Sequence, residues 1–275
     1  MAVFKLLRQS PWSARVGIAM VMLNIIAAAL TFTPYLPYTQ TEVVGDVWLP
    51  ASKDNLLGTD HLGRDLFTRL MWGARNTIFI ALITTALAFV LGIVCGFFAA
   101  TLGGWTDQIL SRVIDILMAF PTLIFALIAL SVVGTSMTAL IVVIALLEST
   151  RVYRLSRAVA MNIEVMEYVE AARLRGEGIW WIMRQEILPN AMPPLVAEFG
   201  LRFCFVFLFI AALSFLGLGI QPPDADWGGM VRENAGAITF GILTPLVPAG
   251  AIAFLTVGVN LIVDWFLHVA SGLKD

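Results

Sequence analysis

The chain has 275 residues, of which 59% are hydrophobic and 13% charged, with a mean hydropathy of +0.88. A soluble domain is about 45–50% apolar and about 25% charged, so an ordinary soluble protein is excluded and lipid must cover much of the surface. The net charge of −2 excludes a bulk basic field for nucleic acid, and Cys95 and Cys204 stand apart from each other and from both histidines, so no metal-ligand spacing arises.

A membrane helix needs about 20 apolar residues. The first charge-free run, 16–41, is too long for a signal-peptide core and predicts a retained helix over 16–34. A second helix is expected over 77–102. The run 116–147 is too long for one span, and Gly134, Thr135 and Ser136 divide it. The third helix is then 109–133 and the fourth 137–153. The fifth is 195–218, and the sixth is 242–267 with Pro245 and Pro248 near its start. The fold class is all-α, a polytopic membrane protein of six transmembrane helices.

Positive charge sets the orientation. Lys5, Arg8, Arg15, Arg112, Arg151, Arg154, Arg157, Arg173, Arg175 and Arg184 fall on one face if six spans alternate. The opposite face has Lys53, Arg64, Arg69, Arg75 and Arg232, offset by eight carboxylates including Asp60, Asp65, Asp226 and Glu233. Both termini are therefore expected in the cytoplasm.

The segment 154–190 is the least membrane-like stretch on the basic face. Ile163, Met166 and Val169 recur at a helical interval, as do Ile179, Ile182, Met183 and Ile187. Gly176 and Gly178 separate the two patterns, and Pro189 is expected to limit the second. Periodicity alone leaves open a hairpin that merely lies on the membrane.

Three other stretches stand out. Asp60 is placed to cap a helix through Leu62, Leu66, Leu70 and Ala74 along the outer interface, with Asp65 and Arg69 at i,i+4 spacing. That stretch reads as a structural elbow, with His61 as a surface residue. Phe120 and Pro121 predict a kink in the third helix, a candidate gate. Gly217 and Gly219 suit a closely packed helix end, and Trp227 suits the membrane interface. Asp115, Glu148, Glu198, Arg202 and Asp264 lie toward helix ends, where snorkelling or interhelical pairing is expected.

Glu170-Ala171-Ala172, then Gly176 after three residues, then Leu188-Pro189 twelve positions further, resembles the coupling loop of type I ATP-binding-cassette importer permeases. Glu186 replaces an apolar residue frequent in that family. The stretch from Leu57 to Asp65, with Gly58, Thr59, Asp60, Gly63, Arg64 and Asp65, resembles the signature of peptide and nickel importer permeases, in the second of their two permease types. Gly217, Gly219, Pro222, Pro223 and Trp227 resemble the family's outer loop, and Pro121 matches a proline of its third helix. The likeness runs over 57–264; the tail beyond Asp264 departs from it.

The resemblance implies a division into an N-terminal helix with an outer segment and interfacial helix (1–73), a transport core (74–265) with its coupling loop at 161–190, and a short tail (266–275). It implies that the loop docks in a cleft of an ATPase, with Glu170 tying it together, Ala171 and Ala172 packing closely and Gly176 turning the chain. No phosphate-binding loop of the Gly-x-x-x-x-Gly-Lys-Ser/Thr type is present, so the chain is expected to be no enzyme and to hold no cofactor; ATP and magnesium belong to partner subunits. The implied partners are a related second permease, two ATPases, a periplasmic solute-binding protein and membrane lipid, but no nucleic acid. Together they would import peptides, glutathione, opines or nickel complexes by alternating access. An ion-gradient-driven transporter is the alternative, but it needs charges deep in the bilayer, which the apolar runs lack. A membrane enzyme is disfavoured because His61 and His268 are expected on opposite faces.

Overall fold

A computed structural model describes residues 10–270. Helix α1 (Trp12–Leu30) is followed by an irregular outer segment. Helix α2 (Leu66–Leu102) leads to a bent pair, α3 (Gly104–Met118) and α4 (Thr122–Val133). Helix α5 (Met137–Glu164) enters a loop built from α6 (Glu167–Leu174), α7 (Ile179–Ile182) and a π turn (Met183–Ile187). Helix α8 (Leu188–Phe215), α9 (Trp227–Asn234), a 3-10 turn (Ala235–Phe240) and α10 (Leu246–Ala270) complete the chain. Lys5, Arg8, Lys274 and the rest of 1–9 and 271–275 lie outside the described residues.

Four helices are long and apolar enough to cross a membrane: Trp12–Leu30, Leu66–Leu102, Ile179–Phe215 and Leu246–Val269. The pair α3 and α4 is a fifth if counted as one span. The count of six is thus not reached on length and composition among the described residues. The expected fourth span, α5, is apolar only in its first half; Glu148, Arg151, Arg154, Arg157 and Glu164 occupy the rest.

The expected third helix is a break rather than a kink, with α3 and α4 meeting at 89°. Pro121 has no amide hydrogen, and it stands just outside α4 in an extended conformation that lets Phe125 N–H bond its carbonyl. The outer interfacial helix is also absent as a separate element. Asp65, not Asp60, caps the helix by accepting from Thr68 N–H at 2.8 Å, and the chain then runs unbroken through α2. Pro189 likewise does not end its helix. The wider π turn immediately before it shifts the register in which the ring meets the preceding turn, and α7 through α8 form one 37-residue rod.

The main core centres on α2, α5 and α8. Ile80, Leu130, Leu140, Ile144, Phe207 and Ile210 are essentially fully buried in it. Helices α2 and α5 approach most closely at Gly92 and Gly96, where an added Cβ would lie 2.6 Å from Val152 and 2.1 Å from the Ser156 hydroxyl. That hydroxyl donates to the Gly92 carbonyl at 2.9 Å, a small-residue contact of the kind that joins membrane helices.

Candidate functional site

The loop of residues 161–190 rests on a core of its own. Val169, Ala172, Ile182, Met183 and Ile187 pack with Phe97, Ala160, Ala191 and Leu195 from the helices beneath. Ile163 belongs to the end of α5, and Met166 is 47% exposed at the following break, so the first expected amphipathic helix is shorter than its periodicity implied. Gly176 adopts φ +81°, a left-handed turn that glycine enters without steric cost, and no heavy atom would lie within 4 Å of an added Cβ. Gly178 is an ordinary residue at φ −74°.

The family-like residues divide between an outer and an inner face of this loop. Glu170, Ala171, Gly176 and Pro189 are exposed, Ala172 is buried and Leu188 half-buried. Leu174, at 84% exposure, and Trp180, at 62%, flank the turn. Glu170 has no side-chain hydrogen bond or ion pair among the described residues. The tying is done by the ion pair of Arg173 with Glu164, and by Arg175 with Glu186 at 3.9 Å. Arg175 also lies over the Trp181 ring, 5.7 Å from its centroid. Glu186, the departure from the family pattern, therefore has a partner inside the loop.

The two arms of the loop are joined across α5 and α8. Glu148 is 3% exposed and receives Arg202 at 3.2 Å and Arg151 at 3.1 Å; Arg202 also pairs with Glu198 at 2.6 Å. Pairing, rather than snorkelling, accounts for all three: Glu148 and Arg202 pair between helices, and Glu198 pairs with Arg202 within α8. Asp115 pairs with Arg154 at 2.7 Å, Asp107 with Arg157, and Ser111 with Tyr153 at 2.9 Å, so α3 lies along α5 on a polar ladder.

At the other end of the molecule, the stretch 57–65 is a buried elbow. Gly58 (φ +79°) and Gly63 (φ +76°) make two left-handed turns against the carbonyls of Leu49 and Gly45. The Thr59 hydroxyl donates to the Asp46 carbonyl at 2.6 Å. Asp60 accepts from the amides of Leu62 and Arg64 and binds Arg64 at 2.7 Å and Arg69 at 3.2 Å. Both arginines also reach Glu233, at 3.2 and 2.9 Å. The expected Asp65–Arg69 pair does not form, because Arg69 is drawn to Asp60 and Glu233.

His61 is half-buried in this cluster rather than on the surface, with Nδ1 3.8 Å from Glu233. Burial, ahead of the opposing pull of Asp60 and Glu233, lowers its pKa below the ordinary histidine value. Asp60, His61 and Glu233 offer ligand atoms within 4.8 Å of one another. A cation there would meet both guanidiniums on the same carboxylates, which disfavours a metal. Reading the sequence placed Arg69 and Glu233 on the outer face without joining them to Asp60, and missed Asn234. Fully buried Asn234 accepts from Trp48 Nε1–H and the His61 amide at 3.3 and 3.0 Å. The only hint was a charged Arg-Glu-Asn run after Trp227-Gly228-Gly229.

The second outer motif packs against this elbow. Gly217 adopts φ +90°, and an added Cβ at Gly219 would overlap the Ser214 hydroxyl. Pro222 and Pro223 form an exposed turn. Trp227 is 1% exposed, not an interface anchor: its indole donates to the Leu70 carbonyl at 3.0 Å and meets Phe207 edge-on. Asp226 caps α9 through Gly229 N–H at 3.0 Å, and burial raises its pKa to about 6. Phe120 and Pro121 are both exposed at the α3–α4 break.

A family model described as "Binding-protein-dependent transport system inner membrane component" matches residues 89–271. A putative peptide transport system permease of Brucella suis is 33% identical over 265 residues, covering 96% of this chain and 86% of its own. A probable D,D-dipeptide transport system permease of Escherichia coli is 30% identical over 94% of this chain and 87% of its own. A di/tripeptide transport system permease of Pseudomonas aeruginosa is 34% identical over 92% and 84%. The solved structure of an amino acid ABC transporter matches 72% of this chain and 92% of its own with a TM-score of 0.54 at 19% identity, a likeness of fold. Helical architecture, family match and relatives agree: the chain belongs to the binding-protein-dependent transport system inner membrane component family, as a type I permease subunit of an ATP-binding-cassette importer.

Proposed function

We propose that the substrate is a peptide or a related small solute, and that the chain forms half of a translocation path with a second, related permease. Two ATPase subunits bind and hydrolyse ATP for it, and a solute-binding protein delivers substrate to the face bearing residues 35–65. Both termini and the loop 161–190 lie in the cytoplasm. The loop docks on an ATPase, and alternating access follows from its displacement.

One observation carries the docking: exposed Leu174 and Trp180 crown a loop that is rigidly seated on its own buried core. Exposed apolar side chains on an ordered protrusion mark a contact with a protein or a membrane surface, and the resemblance to coupling loops favours the protein. The reading is tested with a Leu174→Cys chain expressed with its partner subunits in inverted vesicles. A short maleimide–diazirine crosslinker attached at residue 174 is expected on illumination to link it to an ATPase subunit, with a yield that changes when nucleotide is added. A product containing no ATPase subunit, at any nucleotide state, overturns the docking.

A further inference from the structure

Helix α1 lies outside the region that the family model matches, and it does not seal against the core. It meets α10 closely where Gly17 faces Gly258. It also packs on α2, and clefts flank that contact. A cleft of about 320 Å³ lies between α1 and α2, lined by Ile25, Ala28, Phe32, Arg75, Ile78 and Leu82 among others. Ile25, Ile78 and Leu82 also line a second cleft of about 580 Å³, which continues between α1, α8 and α10 as far as Phe266. The two form one trench. Arg75 stands about 10 Å along α2 from Leu82, and the lower cleft follows α10 from Leu255 to Phe266 for about 16 Å. Together these exceed half of the roughly 30 Å hydrocarbon core, the depth of one leaflet.

The trench is apolar throughout except at one mouth, where Arg75 stands. Its guanidinium lies 4.2 Å from the Phe32 ring centroid and 4.9 Å from that of Trp72. Two aromatic faces thus hold the guanidinium plane and leave N–H edges directed elsewhere. No carboxylate lies within ion-pair distance of Arg75 among the described residues. A fixed cation above a narrow apolar trench, between two and three turns into α2, is complementary to one occupant with an anionic head and a thin apolar tail.

We propose that the α1–α2 trench binds a membrane phospholipid, its phosphate on Arg75 and an acyl chain along Ile25, Ile78 and Leu82. A helix of a partner subunit is the competing occupant, but an apolar helix would leave the Arg75 guanidinium without an anion, and the Phe79 crosslink below separates the two. The site is independent of what the loop 161–190 does, so either reading stands if the other fails.

The test uses the full transporter with its partner subunits in lipid nanodiscs doped with a phosphatidylglycerol that carries a diazirine on its acyl chain. Crosslinks are expected in peptides covering residues 21–32, 75–82 and 196–203, above the level on the exposed face of α4 around Ile124 and Ile128. Arg75→Gln should lower that excess about fivefold, as expected for one cation at a charged membrane surface, and Arg75→Lys should retain most of it. Leu82→Trp should remove crosslinks at 196–203 and leave those near Arg75. Excess glycerol phosphate, the head without a tail, should not compete. Labelling no denser than on α4, labelling indifferent to Arg75→Gln, competition by glycerol phosphate, or a disulfide from Phe79→Cys to a partner subunit would each overturn the proposal.

Discussion

Gly176 separates a conformational role from a docking role. At φ +81° any residue with a Cβ is strained by about 1–2 kcal/mol, and this cost is the same for alanine and leucine. Nothing lies within 4 Å of the added Cβ, so the chain itself contributes no clash. The core beneath, Val169, Ala172, Ile182 and Ile187, is untouched, and a loss of this size leaves a folded protein. Alanine should therefore weaken ATPase association by about thirtyfold at most. If the turn faces an ATPase backbone, leucine adds overlap worth a few kcal/mol more, a further loss of about a hundredfold. Asparagine, which tolerates the left-handed region, should fall near alanine. Gly178→Leu, at an ordinary φ in open space, should be mild. The assay is co-purification of the ATPase subunits with tagged permease, beside uptake in cells lacking the native gene. Equal losses for alanine and leucine would leave only local strain, and full retention by leucine would refute docking through this turn.

Three further expectations follow from the outer elbow and the orientation. Glu233→Ala leaves Arg64 and Arg69 short of a carboxylate in a buried site and should cost about 3–5 kcal/mol, read as a lower thermal midpoint of the purified transporter. A change near zero would mean that the cluster is solvated. Asp226 has a native pKa raised to about 6, so its protonated form favours the fold: its contribution is full below about pH 4 and is lost as pH rises through 6. Asp226→Asn keeps the cap and should raise the thermal midpoint near pH 7 more than at pH 4; an equal effect at both values refutes the linkage. In intact cells, a membrane-impermeant maleimide should label Leu62→Cys and spare Gly178→Cys; labelling at 178 reverses the topology.

Much of this fold is legible as runs of apolar residues, because lipid-facing helices must be apolar along their length. The coupling-loop candidate was legible too, since its glycine turn and helical spacing are local features. What escaped was set by contacts between distant positions. Asp60 and Glu233 are 173 residues apart, and their shared arginines convert what reads as a helix cap into a buried cluster. Trp227 reads as an interface residue by type, yet a carbonyl at Leu70 and the ring of Phe207 draw it inside. Pro121 announces a disturbance but not its size. The 89° break depends on α3 finding a polar ladder on α5, and Asp107, Ser111 and Asp115 reveal that ladder only opposite Arg157, Tyr153 and Arg154.

That ladder and the Glu148–Arg202 pair bear on how a push on the loop would travel. Helix α5 enters the loop without a break from the membrane side, and the rod from Ile179 to Phe215 leaves it without one. Between them, α6 and the Gly176 turn are seated by buried side chains and by the Glu164–Arg173 and Glu186–Arg175 pairs. A force on Leu174 therefore meets a lever and not a tether. Glu148 is nearly fully buried and binds Arg202 from α8, so the two arms move together rather than spread. The same α5 carries Tyr153, Arg154 and Arg157 against α3, whose far end is the break at Phe120 and Pro121. On the proposed mechanism, motion of the arm pair pulls on α3 through contacts that are exposed at Arg154–Asp115 and partly buried at Arg157–Asp107 and Tyr153–Ser111, and the more deeply buried Glu148–Arg202 pair holds. The α3–α4 elbow is thus the compliant joint, and the clamp at Glu148 is the rigid one.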